Sequence, residues 1–172
     1  MIRIGRVAAA LGAATLVSVA FAYPEGAPWG AARPDAVESC ATCHFDYDAV
    51  ADSTAIAVSG LPEQPRAGAT YPLTVVFEVP EAATAGFQVL ALSEGGDSGS
   101  FTAGATDMET GTGAIRSTHP SIVDGGATWT FDWTAPERPG AVIQFYIAVM
   151  ASNDDGSPFG DQVHFLSLSI RL

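Results

Sequence analysis

The sequence predicts an all-β protein, an antiparallel β-sandwich of about seven strands behind an irregular N-terminal segment. Three observations carry this. From about Thr54 onward apolar residues recur with period two. Clusters of Gly, Asn and Asp separate the runs. Beyond the first 22 residues no segment shows a convincing 3.6-residue apolar stripe.

Residues 1–22 have the form of a secretory signal peptide. Arg3 and Arg6 give the positive start, Val7 to Ala22 is apolar, and Ala20-Phe21-Ala22 is a small-x-small cleavage site. The run is short for a membrane anchor and leads into Tyr23-Pro24-Glu25-Gly26 rather than a basic stop, so cleavage after Ala22 is expected, with a periplasmic or secreted product. Residues 23–53 are aperiodic and rich in Pro, Gly, Ala and Asp. Residues 54–172 read as the sandwich, one domain with 23–53. Leu73, Val75, Phe77 and Val79 alternate with Thr74, Val76 and Glu78, and Phe87, Val89 and Ala91 share one face of the next run. Trp129, Phe131 and Trp133 alternate with Thr128, Thr130, Asp132 and Thr134. Ile143, Phe145, Ile147 and Val149 form another stripe, and Leu166, Leu168 and Ile170 a last one. Glu94-Gly95-Gly96-Asp97, Asp124-Gly125-Gly126 and Asn153-Asp154-Asp155-Gly156 lie between them, where Gly supplies positive φ and Asn and Asp close local turns.

After cleavage about 150 residues remain, enough for one domain with a core. All seven basic residues of the chain are Arg. Five remain in the mature chain against nineteen Asp plus Glu, a net charge of about −14, which argues against nucleic acid and anionic membrane partners. Such a charge permits steering toward a basic-faced partner, though solubility outside the cell is the simpler explanation. No second apolar run is long enough to span a membrane.

The two cysteines of the chain fall in Cys40-Ala41-Thr42-Cys43-His44, a C-x-x-C-H run. In an exported bacterial protein this is the attachment signal for c-type haem: two thiols reach the two vinyl groups of one porphyrin, and the following imidazole is the proximal iron ligand. Shuffling this composition produces the run about twice in ten thousand. One covalent haem c is therefore expected, on Cys40, Cys43 and His44. An oxidising compartment also permits a Cys40–Cys43 disulfide. Zinc would need more ligands than two Cys and scattered His. A thioredoxin-like motif would need a βαβ context, which is missing. Asn153, Asp154, Asp155 and Asp161 read either as a calcium loop or, more simply, as a polar hairpin turn.

The order of several short motifs resembles a known family. Tyr23-Pro24-Glu25-Gly26-Ala27-Pro28, the C-x-x-C-H run, Gly60-Leu61-Pro62 and Gly68-x-Thr70-Tyr71-Pro72-Leu73-Thr74-Val75 open the match. Gly86-Phe87-Gln88, His119, Trp129-x-Phe131-x-Trp133-Thr134-Ala135-Pro136, Gly140-x-Val142-x-x-Phe145-Tyr146 and Gly160-Asp161 continue it. Together they resemble the bacterial choice-of-anchor V domain, which is related to the reelin-type (Reeler) domain. The resemblance spans nearly all of the mature chain and implies an immunoglobulin-like β-sandwich and export, but little about biological role. Many such proteins carry a C-terminal sorting anchor; this chain ends at Ile170-Arg171-Leu172 without one, which favours a soluble form.

Four side chains are candidates for the distal iron position. His119, in Ser117-Thr118-His119-Pro120, is favoured because in the family a His precedes the W-x-F-x-W-T-A-P run; otherwise it is an exposed loop histidine. His164 shares a face with Leu166, Leu168 and Ile170, so its simpler role is a hydrogen-bonded core histidine. Met108 sits in a Gly/Thr-rich loop, and Met150 shares a face with Tyr146 and Gln144, where surface packing suffices. Trp29, Phe45, Tyr47 and Tyr71 are candidates to pack a porphyrin face, whereas Trp129 and Trp133 at period two read as core. Arg33 and Arg116 are candidate propionate partners. The expectation is an exported monohaem cytochrome that transfers electrons to a redox partner, without enzymatic activity of its own. The rival is a non-catalytic binding or adhesion module with a Cys40–Cys43 disulfide or a structural haem. An open-iron enzyme or gas sensor is a third possibility.

Overall fold

The computed structural model describes residues 26–122 and 125–172, so the signal peptide expected over residues 1–22 and its expected cleavage site lie outside the described residues. One helical turn, α1 (Cys40–Cys43), precedes ten strands: β1 (Ile56–Ser59), β2 (Thr70–Phe77), β3 (Thr84–Leu92), β4 (Ser100–Ala103), β5 (Met108–Gly111), β6 (Ala114–Ser117), β7 (Ser121–Ile122), β8 (Ala127–Thr134), β9 (Val142–Ser152) and β10 (Gln162–Arg171). They form two antiparallel sheets, one in the order β1-β2-β8-β4 and the other β10-β9-β3-β6-β5 with β7 also paired to β3. The protein is an all-β sandwich, as the alternating runs require.

The period-two pattern explains the layer between the sheets. In β8 every second residue is buried, so Trp129, Phe131 and Trp133 point inward and Thr128, Thr130 and Asp132 outward. Phe87 of β3 packs on Trp129 at 4.8 Å between ring centroids and on Phe131 at 5.7 Å, and Phe145 of β9 meets Trp133 edge-on at 5.0 Å. On the solvent side of β2 and β8, hydroxyl pairs Thr70–Thr134 (2.9 Å) and Thr74–Thr130 (3.1 Å) link the strands.

β3, β9 and the first half of β10 are buried on both faces, beyond what a two-layer sandwich requires. The cause is the N-terminal segment, which crosses the outer face of the larger sheet. Ala32 packs there with Leu90, Ala114, Ala148, Val163 and Phe165, and Cys40, Ala41 and Tyr146 lie against this second cluster. Gln88 of β3, 1% exposed, fastens it: its Oε1 accepts from the Ala32 N–H (3.1 Å) and its Nε2 donates to the Pro28 carbonyl (2.9 Å). Arg116 of β6 donates to the Gly26 and Ala27 carbonyls and lies over the Trp29 ring at 4.3 Å. Val50 makes a parallel bridge to β10, exchanging hydrogen bonds with Val163 and Phe165 (2.9 and 2.8 Å), and so covers part of an open sheet edge.

Two short strands differ from the sequence expectation. Met108, expected in a Gly/Thr-rich loop, opens β5, which pairs with β6. Four-residue strands are too short for alternation to stand out from neighbouring Gly and Thr.

Candidate functional site

The C-x-x-C-H run is seated on the outer face of the larger sheet, against β9 and β10. The Cys40 N–H donates to the Ala31 carbonyl (3.1 Å), which ties α1 to the docked segment, and the His44 N–H closes the turn on the Cys40 carbonyl (3.1 Å). One turn of helix places residues three apart on the same side of α1. The two cysteines are unbonded thiols in different surroundings: Cys43 is exposed and Cys40 is half-buried against the second cluster. Burial pushes the Cys40 thiol up to about 12.

His44 is held from the far end of the chain. Its Nδ1 lies 2.9 Å from Oδ2 of Asp161, a carboxylate only 1% exposed at the start of β10. The other carboxylate oxygen accepts from the Asn153 N–H (3.3 Å). A carboxylate accepts and does not donate, so Nδ1 carries the hydrogen, and in the neutral form of the ring the lone pair stands at Nε2. That nitrogen has no hydrogen-bond partner among the described residues. The β9–β10 loop clasps the residues after the motif as well. The Gly160 N–H donates to Asp46 (3.2 Å), Gln162 donates to the Asp48 carbonyl (3.4 Å), and Phe159 meets Phe45 edge-on at 5.8 Å. Gly160 is required here: its φ is +81°, and a Cβ would stand 2.5 Å from the Asn153 amide nitrogen. Phe45, Tyr47 and Phe159 are exposed.

The other sequence candidates separate. His119 is exposed just beyond β6, its Nδ1 3.1 Å from the Thr118 hydroxyl. Strand register places it at the same end of the sheet as Asp161: Ser121 pairs Ala85, Ala85 pairs Ala151, and Ala151 pairs Gln162. That row spans three strand spacings, about 14 Å. In the neighbouring row Gly86, which has no side chain, pairs with Met150. His164 faces the opposite way, into the layer between the sheets. It is 6% exposed, its ring 5.1 Å from Phe77 and its Nδ1 2.8 Å from the Ser53 hydroxyl. This is the core histidine that its alternation with Leu166 implied, although its Nε2 is buried without a partner. Met108 packs toward the interior core from the far edge of the sheet. Tyr71 stacks on Trp133 at 6.2 Å in the other sheet, away from the motif. Arg116 is committed to Gly26, Ala27 and Glu109, and Arg33 to Asp35. In the 153–157 loop Asn153 Oδ1 accepts from the Asp155 N–H and Asp155 Oδ1 from the Ser157 N–H, so these side chains close a polar turn.

Asp161 and Phe159 were missed as partners of the motif. In the sequence Asp161 reads as part of a calcium loop or polar turn and of the Gly160-Asp161 motif, and nothing in spacing links it to a histidine 117 residues away.

No protein-family model matches the sequence, and no curated protein matches it. Solved structures do share the fold. The human F-spondin reeler domain is 14% identical with a TM-score of 0.52, covering 72% of this chain and 94% of that one. The Reelin-N domain of F-spondin is 17% identical with a TM-score of 0.56, covering 76% and 95%. At these identities the likeness is one of fold, and the fold is Reeler-like. No described helix is long and apolar enough to cross a membrane.

Proposed function

We propose that this chain is an extracytoplasmic Reeler-like module that carries one covalently attached haem c on Cys40 and Cys43 and serves in electron transfer. The observation that carries this is His44: the imidazole that follows two free thiols on one helical turn is fixed at Nδ1 and unpartnered at Nε2. That is the donor set a c-type haem takes. Cys40 and Cys43 would hold the group through thioether bonds, each thiol adding its sulfur to one carbon of a vinyl group and its hydrogen to the other, with no net oxidation. Both sulfurs would therefore have to be reduced, and Cys40 and Cys43 are not bonded to each other. When bound, the group supplies a one-electron ferric/ferrous couple. The chain holds the proximal imidazole, offers Phe45, Tyr47 and Phe159 as apolar cover, and places His119 at the same end of the sheet as distal candidate.

A second reading is favoured by the fold itself. Reeler domains are its structural neighbours, and Cys40 is turned into the protein. In that reading the chain is a non-catalytic binding module outside the cytoplasm, and an external oxidant takes two hydrogens from the thiols to leave a disulfide. Intact mass and a pyridine haemochrome spectrum, on protein made in a host that matures c-type cytochromes, separate the two. A mass gain of one haem with a c-type α-band is expected. A haem-free product two hydrogens light would overturn the cytochrome reading in favour of the binding module.

A further inference from the structure

We infer that Asp161 is the positioning residue of the proximal imidazole and holds the reduction potential of this site low. The inference rests on reading His44 as the iron ligand. Asp161 is the one buried carboxylate among the described residues. A buried carboxylate is costly unless its oxygens are hydrogen-bonded, and charged partners are what usually justify it. Among the described residues no Arg reaches it; its two partners are the Asn153 N–H and the His44 ring. A loop that needed only an acceptor for the Asn153 amide would be served as well by Asn, without the charge. The carboxylate has a specific effect on His44. It fixes the hydrogen on Nδ1, sets the ring orientation and pushes electron density toward Nε2, as carboxylates do behind metal-bound histidines. An electron-rich axial imidazole favours the oxidised metal, so the carboxylate lowers the potential. The β9–β10 loop holds both ends of this pair, through Gly160 with Asp46 and Phe159 with Phe45.

Two measurements test this. The first uses the haem-free wild-type chain: long-range proton–nitrogen correlation spectra above neutral pH report which ring nitrogen of His44 carries the hydrogen. The Nδ1–H tautomer is expected, and the Nε2–H tautomer would overturn the inference whether or not haem is ever attached. The second compares the potentials of haem-loaded wild type and Asp161→Asn by spectroelectrochemical titration, with haem content measured in both. The variant is expected at a more positive potential with unchanged haem content. An unchanged potential in a folded, fully loaded variant would overturn it. If the wild type takes up no haem, the cytochrome reading fails, and the tautomer alone decides whether Asp161 sets the ring.

Discussion

His164 shows how a single residue couples the core to pH. Its ring is buried against Phe77, and burial pushes its pKa below the ordinary histidine value. The unfolded chain therefore binds a proton more readily than the folded one. Stability attached to His164 is complete above the ordinary value of about 6.5 and is lost as pH falls through that value toward the lower folded one. Urea unfolding at pH 7.5 and pH 5.5 should show a smaller acid-induced loss for His164→Phe than for wild type; equal losses in the two proteins would remove His164 from the account. The same residue sets a limit on ligand roles, because its ring lies on the opposite face of β10 from Val163 and Phe165, which pack beneath the C-x-x-C-H turn. Asp161, three residues earlier on the chain, has the reverse assignment: it holds the one other histidine near this strand by a direct hydrogen bond.

At the scale of elements, the N-terminal segment is held by few polar contacts, and Gln88 makes two of them. Gln88→Ala leaves the Pro28 carbonyl and Ala32 amide without partners and should cost about 1–3 kcal/mol, with faster amide exchange concentrated in residues 28–44. A loss spread evenly over the sandwich would mean that the segment and the sheet unfold together. The long strands were legible because one-sided burial writes itself as alternation: β2 and β8 were read directly from Leu73-x-Val75-x-Phe77 and Trp129-x-Phe131-x-Trp133. The docked segment was not. Its signature is that β3 and β9 are apolar on both faces, which identifies a covered sheet without saying what covers it. Gln88, a lone polar residue in an apolar run, is informative only once its partners are known. The cysteines and His44 were legible because their chemistry is local in sequence, whereas the contact of His44 with Asp161 depends on how the whole chain closes.

For the molecule as a whole, charge is the dominant long-range property. With nineteen acidic residues against five Arg beyond residue 22, encounters with cationic partners should be accelerated. In the haem-loaded protein, a small cationic redox reagent should react faster than an anionic one of similar potential. The gap should narrow between low salt and about 0.5 M salt, where screening acts within a few ångströms. A salt-independent ratio would show that the acidic residues do not surround the reacting centre. The path of the chain adds a further constraint. The C-x-x-C-H turn lies near the N-terminus and its anchor near the C-terminus, so the nascent chain presents both thiols well before Asp161 exists to hold His44. Once the sandwich closes, Cys40 is shielded and its thiolate is suppressed, while Cys43 stays open. Any modification that must engage both sulfurs is thus confined to the interval before closure, and the rate of folding becomes the clock against which that modification has to run.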